Sequence, residues 1–286
     1  MILCAGEILV DRVKTPQGEI DHIGGAPFNV AVYAARQGTD VRFFGNVGCD
    51  SAGAFIKEQA KTFGLDLRLT ETADSSTTVA LVTVDQTGER FFRFLRDNAA
   101  DYRLDAAEID WTGVTTFHFG TLMLNTDEGR AFCKNAIREA KRRNIRISTD
   151  ANFRDDLFAT EEEQNRTMLP FLFEADVLKL SIEELAALAG ERDTALAVSK
   201  LGYRGLLLIT KGAEGSEAFL GGKRMASVPS APVEKIVDTT GAGDAFFGAA
   251  LALIDRGIAL DSENLKQVLT AANRAGAAAT GTEGAL

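Results

Sequence analysis

The sequence predicts a three-layer α/β fold, with helices covering a central, mostly parallel sheet and a small β-stranded lid added to it. Strands and helices alternate through the second half of the chain, and such repetition places helices on both faces of a parallel sheet. Between about Asp66 and Arg96 the pattern contains β segments only. Because this stretch is too short to enclose its own core, we expect it to cover an edge of the sheet as a lid.

The individual elements follow from short apolar runs and from apolar positions at helical spacing. Strands of the main sheet are predicted at 2–5, 41–44, 116–119, 145–149, 177–180 and 206–210. Helices are predicted after the Gly24-Gly25 pair and at 52–63, 127–143, 242–256 and 262–279. The lid strands are predicted at 77–84 and 90–95, around a turn at 85–89.

The 286 residues are expected to form a single domain, 1–286, with lid segments inserted at about 12–23 and 66–103. Phe91, Phe92 and Phe94 lie in the second segment, and we expect at least one of them to cover a bound substrate. An exposed β lid also offers an edge through which a homodimer can pair. Of the two histidines, His22 is expected on a lid strand or in the pocket, and His118 in the core.

Composition excludes several classes of function. A net charge of −10 argues against a general nucleic-acid binder, which needs a basic face. The longest strongly apolar stretch, 245–254, is too short to span a bilayer. The N-terminus shows no secretory signal, and three scattered cysteines outside any Cys-x-x-Cys pair favour a reducing cytoplasm over disulfides or zinc.

The strongest chemical motif is Asp238-Thr239-Thr240-Gly241-Ala242-Gly243-Asp244, which leads into an apolar helix. Its two glycines allow a tight turn that points several backbone N–H groups one way, and the helix adds the positive end of its dipole. This combination is typical of a site for a phosphoryl group in transfer. A carboxylate there would otherwise repel phosphate, so Asp244 is predicted to take a proton from an attacking hydroxyl.

The motif has three other interpretations. Glycines and an aspartate can simply cap a helix, and that alternative stays open on the motif alone. A dinucleotide-binding fingerprint would need glycine at position 246, where Phe246 stands. A P-loop would need Gly-Lys-Ser/Thr, which the chain lacks.

Residues Asp238–Asp244 resemble the C-terminal signature of the ribokinase-like, or PfkB, carbohydrate kinases. A second motif of that family is similar to Gly24-Gly25-Ala26-Pro27-Phe28-Asn29-Val30-Ala31, about 210 residues earlier. The resemblance covers nearly the whole chain and implies a core of nine or so strands with a β lid. It also implies ATP as donor, Mg²⁺, and in many members a monovalent cation such as K⁺.

The resemblance assigns roles to single residues. Asp244 would be the catalytic base, and the amides of Gly241, Ala242 and Gly243 would form the anion hole. The residues that would hold the sugar are Gly25, Asn29, Asp11 and Arg154. Asp11 belongs to an opening, Gly6-Glu7…Asp11, and Arg154 to the loop Asp150-Ala151-Asn152-Phe153-Arg154; both resemble the fructokinase and 2-keto-3-deoxygluconate kinase branch.

The same resemblance implies a nucleotide site and two cation sites. Residues expected near ATP are Asn152, Ser181, Thr210, Gly212, Gly215 and Asn273. Glu184 would order water around Mg²⁺, in a motif where Ser181 replaces the family's asparagine. Asp238 and Thr240 are candidate ligands of the monovalent cation.

Resemblance to the fructokinase and 2-keto-3-deoxygluconate kinase branch favours phosphorylation of fructose to fructose 6-phosphate. Its close rival is 2-keto-3-deoxygluconate, an acid that would call for an added positive group such as Arg93, Arg96 or Arg154. Ribose and nucleosides rank lower. Two alternatives come from other classes of protein. A non-catalytic sugar or nucleotide sensor predicts a damaged base or anion loop. An NAD-dependent oxidoreductase predicts a dinucleotide-binding fingerprint, which the chain lacks.

Overall fold

The computed structural model describes residues 1–15, 18–84 and 90–286. Its strands are β1 (Ile2–Ala5), β2 (Leu9–Thr15), β3 (Gly18–Gly24), β4 (Val41–Gly48), β5 (Asp66–Thr72), β6 (Val79–Val84), β7 (Arg90–Leu95), β8 (Thr116–Phe119), β9 (Arg146–Asp150), β10 (Val177–Ser181), β11 (Leu206–Thr210), β12 (Ser216–Leu220) and β13 (Lys223–Val228). Its α-helices are α1 (Ala26–Arg36), α2 (Ser51–Ala60), α3 (Asp127–Arg142), α4 (Glu161–Leu172), α5 (Ile182–Ala189), α6 (Thr194–Leu201), α7 (Ala242–Asp255) and α8 (Ser262–Ala279).

Nine strands form the large sheet, in the order β13-β12-β11-β10-β9-β8-β1-β4-β5. All neighbours from β11 to β5 pair in parallel, whereas β12 and β13 are antiparallel. The predicted mostly parallel sheet is therefore confirmed. Because parallel strands end at the same edge, the loops after β1, β9, β10 and β11 share one side of the molecule.

Side chains alternate between two apolar layers along each strand, as period-two geometry requires. Leu206 and Leu208 pack with α1, α7 and α8 on one face, and Leu207 and Ile209 pack with α3 to α6 on the other. Helix α7 is apolar on nearly all sides because it lies between the sheet, α1 and α8. This arrangement fixes the N-terminal end of α7 at the carboxyl edge of the strands.

The second sheet contains four strands, in the order β3-β2-β6-β7. The structure differs from the expected lid segments at one point. Strand β5 is not part of the lid sheet but pairs in parallel with β4 at the edge of the large sheet. The sequence of β5 alternates as a lid strand would, but its residues Leu67 and Leu69 pack on the main core. The predicted turn at 85–89 lies outside the described residues.

Three smaller expectations concern the two histidines and the absence of a membrane-spanning helix. His118 is 1% exposed in β8, where burial lowers its pKa to about 3, so its placement in the core is confirmed. His22 lies on β3, opposite Asp11. No helix among the described residues combines the length and apolarity needed to cross a bilayer.

Candidate active site

Asp244 lies in the first turn of α7, and its carboxylate Oδ2 accepts a hydrogen bond of 2.8 Å from Asn29 Nδ2. Asn29 is on α1, which packs against α7. The two helices approach closely at Gly248, where a Cβ would lie 2.7 Å from the carbonyl oxygen of Val30. The two sequence motifs, 215 positions apart at these residues, therefore meet in one site.

The charges around Asp244 suit a proton acceptor. Burial raises the pKa of its carboxyl above the ordinary value. The hydrogen bond from Asn29 and the positive charges of Lys179 and Arg154 limit that rise. The carboxyl is therefore tuned toward a base that ionises at a higher pH than a surface aspartate.

The backbone before Asp244 turns as the motif predicted. Gly241 caps α7 with a left-handed φ of 76°, and a Cβ there would lie 2.8 Å from Ala285 Cα. One amide differs from the expectation: Ala242 N–H donates to Thr239 O at 3.2 Å and is already engaged in the turn. The described residues leave the N–H groups of Gly241, Gly243 and Asp244 without a partner, so these three, rather than that of Ala242, are the candidates for holding an anion.

Asp244 lines a partly open cavity beneath the lid. The cavity is lined by Glu7, Leu9, Asp11, Gly25, Ala26, Asn29, Phe94, Leu122, Asn152, Arg154, Thr240, Gly241 and Asp244. The four predicted sugar-binding residues, Asp11, Gly25, Asn29 and Arg154, thus lie together. Phe94 supplies the expected aromatic wall; the side chains of Phe91 and Phe92 are outside the described residues.

Gly25 lines this cavity, and its neighbour Gly24 lies against Asp11, another lining residue. A Cβ on Gly24 would lie 2.2 Å from Asp11 Oδ2, so the missing side chain leaves room for that carboxylate. Gly25 has a φ of 113°, and a Cβ there would lie 2.5 Å from Glu7 O. The Asp11 carboxylate therefore explains glycine at position 24, whereas close backbone approach and a positive φ explain glycine at position 25.

A second cavity lies on the other side of the anion site. It is lined by Thr210, Gly212, Ala213, Gly215, Ser230, Ala231, Val233, Ile236, Thr239, Ala242, Gly243, Phe246, Asn273, Gly276, Ala277 and Thr280. Four residues predicted near ATP line it: Thr210, Gly212, Gly215 and Asn273. The Asn273 amide is held by Ser216 Oγ at 2.9 Å and by Pro229 O at 3.0 Å, and it fixes the wall between α8 and β12.

The other two residues predicted near ATP lie elsewhere. Asn152 lines the cavity of Asp244, with a left-handed φ of 43°. Ser181 caps α5, where its hydroxyl accepts from Glu184 N at 3.1 Å while Glu184 Oε2 accepts from Ser181 N at 2.7 Å. The serine in place of the family's asparagine thus forms a capping box.

The two predicted cation sites have different surroundings. Glu184 Oε1 also accepts a hydrogen bond from Phe153 N at 2.8 Å, so both oxygens of this carboxylate accept from backbone N–H groups. Asp238 accepts from Thr240 N at 2.9 Å and from Gly284 N at 2.8 Å. No group of three or more His, Cys, Asp or Glu side chains in the described part of the chain can hold a metal ion.

Sequence reasoning gave no role to three buried charged residues around the site, although two of them, Glu7 and Asp150, lie in motifs that it named. Glu7 is 3% exposed, burial raises its pKa to about 8, and its Oε2 has no hydrogen-bond partner among the described residues. Lys179 and Asp150 form an ion pair of 2.6 Å behind Gly243. A lysine inside the apolar run Val-Leu-Lys-Leu was the available signal.

An acid between two cavities, beside unpartnered amides at a helix N-terminus, defines a phosphotransferase of the small-molecule kinase class. The chain belongs to the pfkB family carbohydrate kinases, whose sequence pattern it matches over residues 3–286. Probable fructokinase-4 of Arabidopsis thaliana is 34% identical over 304 residues, covering 100% of this chain and 92% of the relative.

Solved structures agree with this family assignment. A double-mutant fructokinase from Vibrio cholerae O395, in fructose, ADP and potassium ion bound form, gives a TM-score of 0.87 at 29% identity, covering 99% of this chain and 93% of that one. Fructokinase from Xylella fastidiosa with bound ATP gives 0.88 at 30% identity, with the same coverage. The oxidoreductase alternative is thereby excluded.

Proposed function

We propose that this kinase transfers the γ-phosphoryl group of ATP to the terminal hydroxyl of fructose, giving fructose 6-phosphate. One observation carries the proposal: Asp244, held by Asn29 at 2.8 Å, stands where the cavity under the lid meets the cavity between β12 and α8. A sugar in the first cavity and ATP in the second would meet at this carboxylate. Relatives named fructokinases along the full length support fructose as the acceptor.

The proposed step is a direct in-line transfer. The acceptor hydroxyl gives its proton to an Asp244 carboxylate oxygen as its oxygen bonds to phosphorus, and the bond from phosphorus to the ADP oxygen breaks. The N–H groups of Gly241, Gly243 and Asp244 would stabilise the charge on the phosphoryl oxygens. Closure of the lid, with Phe94 in its wall, would exclude water and so limit ATP hydrolysis.

A specific observation keeps 2-keto-3-deoxygluconate as a second candidate. Of the three arginines that an acidic sugar might use, Arg154 lines the cavity. Arg96 is instead buried against Asp101, at 2.9 Å, and Arg93 is exposed. A carboxylate on the sugar would therefore depend on Arg154 alone among these three.

With Glu184 as the candidate carboxylate of the protein, Mg²⁺ would take most of its ligands from ATP and water. Glu184 has a carboxylate suited to ordering water, and Mg²⁺ keeps much of its water shell while binding substrate phosphates. The ion would neutralise phosphate charge. Potassium at Asp238 and Thr240 is proposed from the loop that these residues order and from the potassium-bound relative.

Two further features belong to the proposal. Cys4, Cys49 and Cys133 are all free thiols, which supports a reducing cytoplasm. Ile20 on β3 and Leu95 on β7 are 46% and 45% exposed on the lid sheet, which supports a homodimer formed through the lid. Light scattering of the chain at micromolar concentration tests the dimer.

The test of function is an ADP-release assay with Mg-ATP across fructose, 2-keto-3-deoxygluconate, ribose and adenosine. The proposal predicts the highest kcat/KM for fructose. A higher value for 2-keto-3-deoxygluconate that collapses in Arg154→Met would favour the second candidate. No turnover with any sugar would support the sensor alternative.

A further inference from the structure

Gln164 is a polar residue on the inward face of helix α4. The buried residues of this helix are Gln164, Met168 and Leu172, and their spacing of four places all three on the side that faces the core. Gln164 is only 1% exposed. Both polar atoms of its amide, Oε1 and Nε2, are buried without a hydrogen-bond partner among the described residues. Burial of an unsatisfied amide is unfavourable, so this position calls for a partner.

A partly open cavity lies beside Gln164, between α4, the start of α5 and the loop that follows β9. Its volume is about 550 Å³, which is within the range of small-molecule sites. It shares no lining residue with either cavity of the candidate active site. The lining residues that bear on its chemistry are Phe153, Phe158, Thr160, Glu161, Gln164 and Glu183.

Most other polar groups of this cavity are already engaged in holding the helix ends. Thr160 Oγ1 accepts from Glu163 N at 3.1 Å, and Ser181 Oγ accepts from Glu184 N at 3.1 Å. The Glu184 carboxylate accepts from the backbone N–H groups of Phe153 and Ser181. The Gln164 amide therefore remains to be satisfied from within the cavity.

The charge of the cavity favours a cation as the partner. Its charged lining residues in the described part of the chain are Glu161, Glu183 and Glu184, and no lysine, arginine or histidine is among them. No group of three or more His, Cys, Asp or Glu side chains in the same part can hold a metal ion, which favours an organic cation. The rings of Phe153 and Phe158 add aromatic surface that suits the carbon atoms and the charge of such a ligand.

We infer that this cavity binds a small organic cation in which an ammonium group stands next to a hydroxyl. A side-chain amide offers an acceptor and a donor side by side, so its ligand needs a donor beside an acceptor. The ammonium donates to Gln164 Oε1 and is attracted by the glutamates, and the hydroxyl oxygen accepts from Gln164 Nε2. An amino acid fits less well, because its carboxylate would be repelled by Glu161 and Glu183. The site is separate from the proposed kinase reaction and does not depend on it.

The principal test is a ligand-observed NMR titration of the full chain with 2-aminoethanol at pH 7, without ATP or sugar. A ligand of this size should bind with a dissociation constant of about 1 mM. The comparison ligands are ethane-1,2-diol, which lacks the charge, ethylamine, which lacks the hydroxyl, and glycine, which adds a carboxylate. Each should bind at least about fivefold more weakly. No binding of 2-aminoethanol up to about 50 mM, or equal binding of the diol, would overturn the inference.

Gln164→Met tests the role of the amide. Methionine has a similar length and removes two unpartnered polar atoms, so the melting temperature should stay the same or rise. The affinity for 2-aminoethanol should fall about tenfold or more. Gln267→Met is the matched control, because Gln267 is exposed on α8, and it should leave the affinity unchanged. An unchanged affinity in Gln164→Met would place the ligand elsewhere and overturn the inference.

Two further variants test the charge and the location of the site. Glu161→Gln/Glu183→Gln changes two exposed side chains and keeps Gln164, so it should weaken 2-aminoethanol about fivefold and leave ethane-1,2-diol unchanged. Equal loss for both ligands would contradict the role of charge. Asp11→Ala, in the cavity of Asp244, should not change the affinity for 2-aminoethanol. A loss of binding in that variant would place the ligand in the sugar cavity and overturn the inference.

Discussion

Asn29 Nδ2 donates to Asp244 Oδ2 at 2.8 Å and so joins the start of α1 to the start of α7. The bond does more than align two helices. It fixes the orientation of the proposed base and favours its ionised form, since the amide hydrogen interacts best with a carboxylate. The amide oxygen of Asn29, Oδ1, is buried without a partner among the described residues, and Asn29 lines the cavity of Asp244. This oxygen is a candidate acceptor for a sugar hydroxyl.

Loss of this hydrogen bond should shift the pH dependence of catalysis. Asn29→Ala removes a contact that lowers the pKa of Asp244, so that pKa should rise further above its ordinary value. A hydrogen bond to a charged group is worth about 1.5–3 kcal/mol, or roughly one to two pH units. The acid limb of the kcat/KM profile should therefore move to higher pH by about that amount, measured by ADP release between pH 5 and 9. An unmoved limb, or one displaced to lower pH, would contradict the role of Asn29.

Gly24 should affect sugar binding through Asp11. In Gly24→Ala the new Cβ would approach Asp11 Oδ2 to 2.2 Å and force the carboxylate aside. Losing a charged hydrogen bond to the sugar should raise KM for fructose about 10–100-fold, with KM for ATP unchanged. The control is Gly24→Ala/Asp11→Ala, which should be no worse than Asp11→Ala alone if the two act through one contact. Additive losses would show that Gly24 acts through the backbone instead.

Glu7 should make the protein less stable as the pH rises. Burial raises its pKa in the folded state from 4.5 to about 8, so the folded chain binds a proton that the unfolded chain has released. The free energy of unfolding therefore falls between about pH 4.5 and 8. Glu7→Gln removes this dependence and should stabilise the fold by roughly 2–3 kcal/mol at pH 7 relative to the unmodified chain.

The measurement for Glu7 is the difference in urea-unfolding free energy between Glu7→Gln and the unmodified chain at pH 5, 6, 7 and 8. The difference should grow steadily across this series, because other titrating groups cancel in the comparison. A constant difference would mean that Glu7 is ionised in the folded state.

Much of the fold was predictable because the large sheet repeats a local pattern. Strands β1, β8 and β11 and helix α8 have the predicted bounds, since each is an apolar or amphipathic run ended by a clear polar or turn signal. The assignment of β5 failed for a different reason. Alternation indicates a half-buried strand, but it does not specify which sheet supplies the covering layer.

The site was predictable where residues are adjacent in the sequence and not where the fold brings them together. The glycine motifs specified Asp244, Asn29 and Gly25 because their spacing carries the geometry. The engagement of the Ala242 amide depends on the turn at Thr239, and the Lys179–Asp150 pair depends on the register of β9 and β10. Neither is expressed in a local motif.

The most direct test of the account is Asp244→Asn, a change that keeps size and removes the base. A positioned base supplies roughly 10²–10⁴-fold in rate, so turnover should fall by at least about 100-fold. The melting temperature and the dissociation constant of ATP should stay close to those of the unmodified chain. An Asp244→Asn protein that retains more than about a tenth of the original kcat would show that some other group accepts the proton.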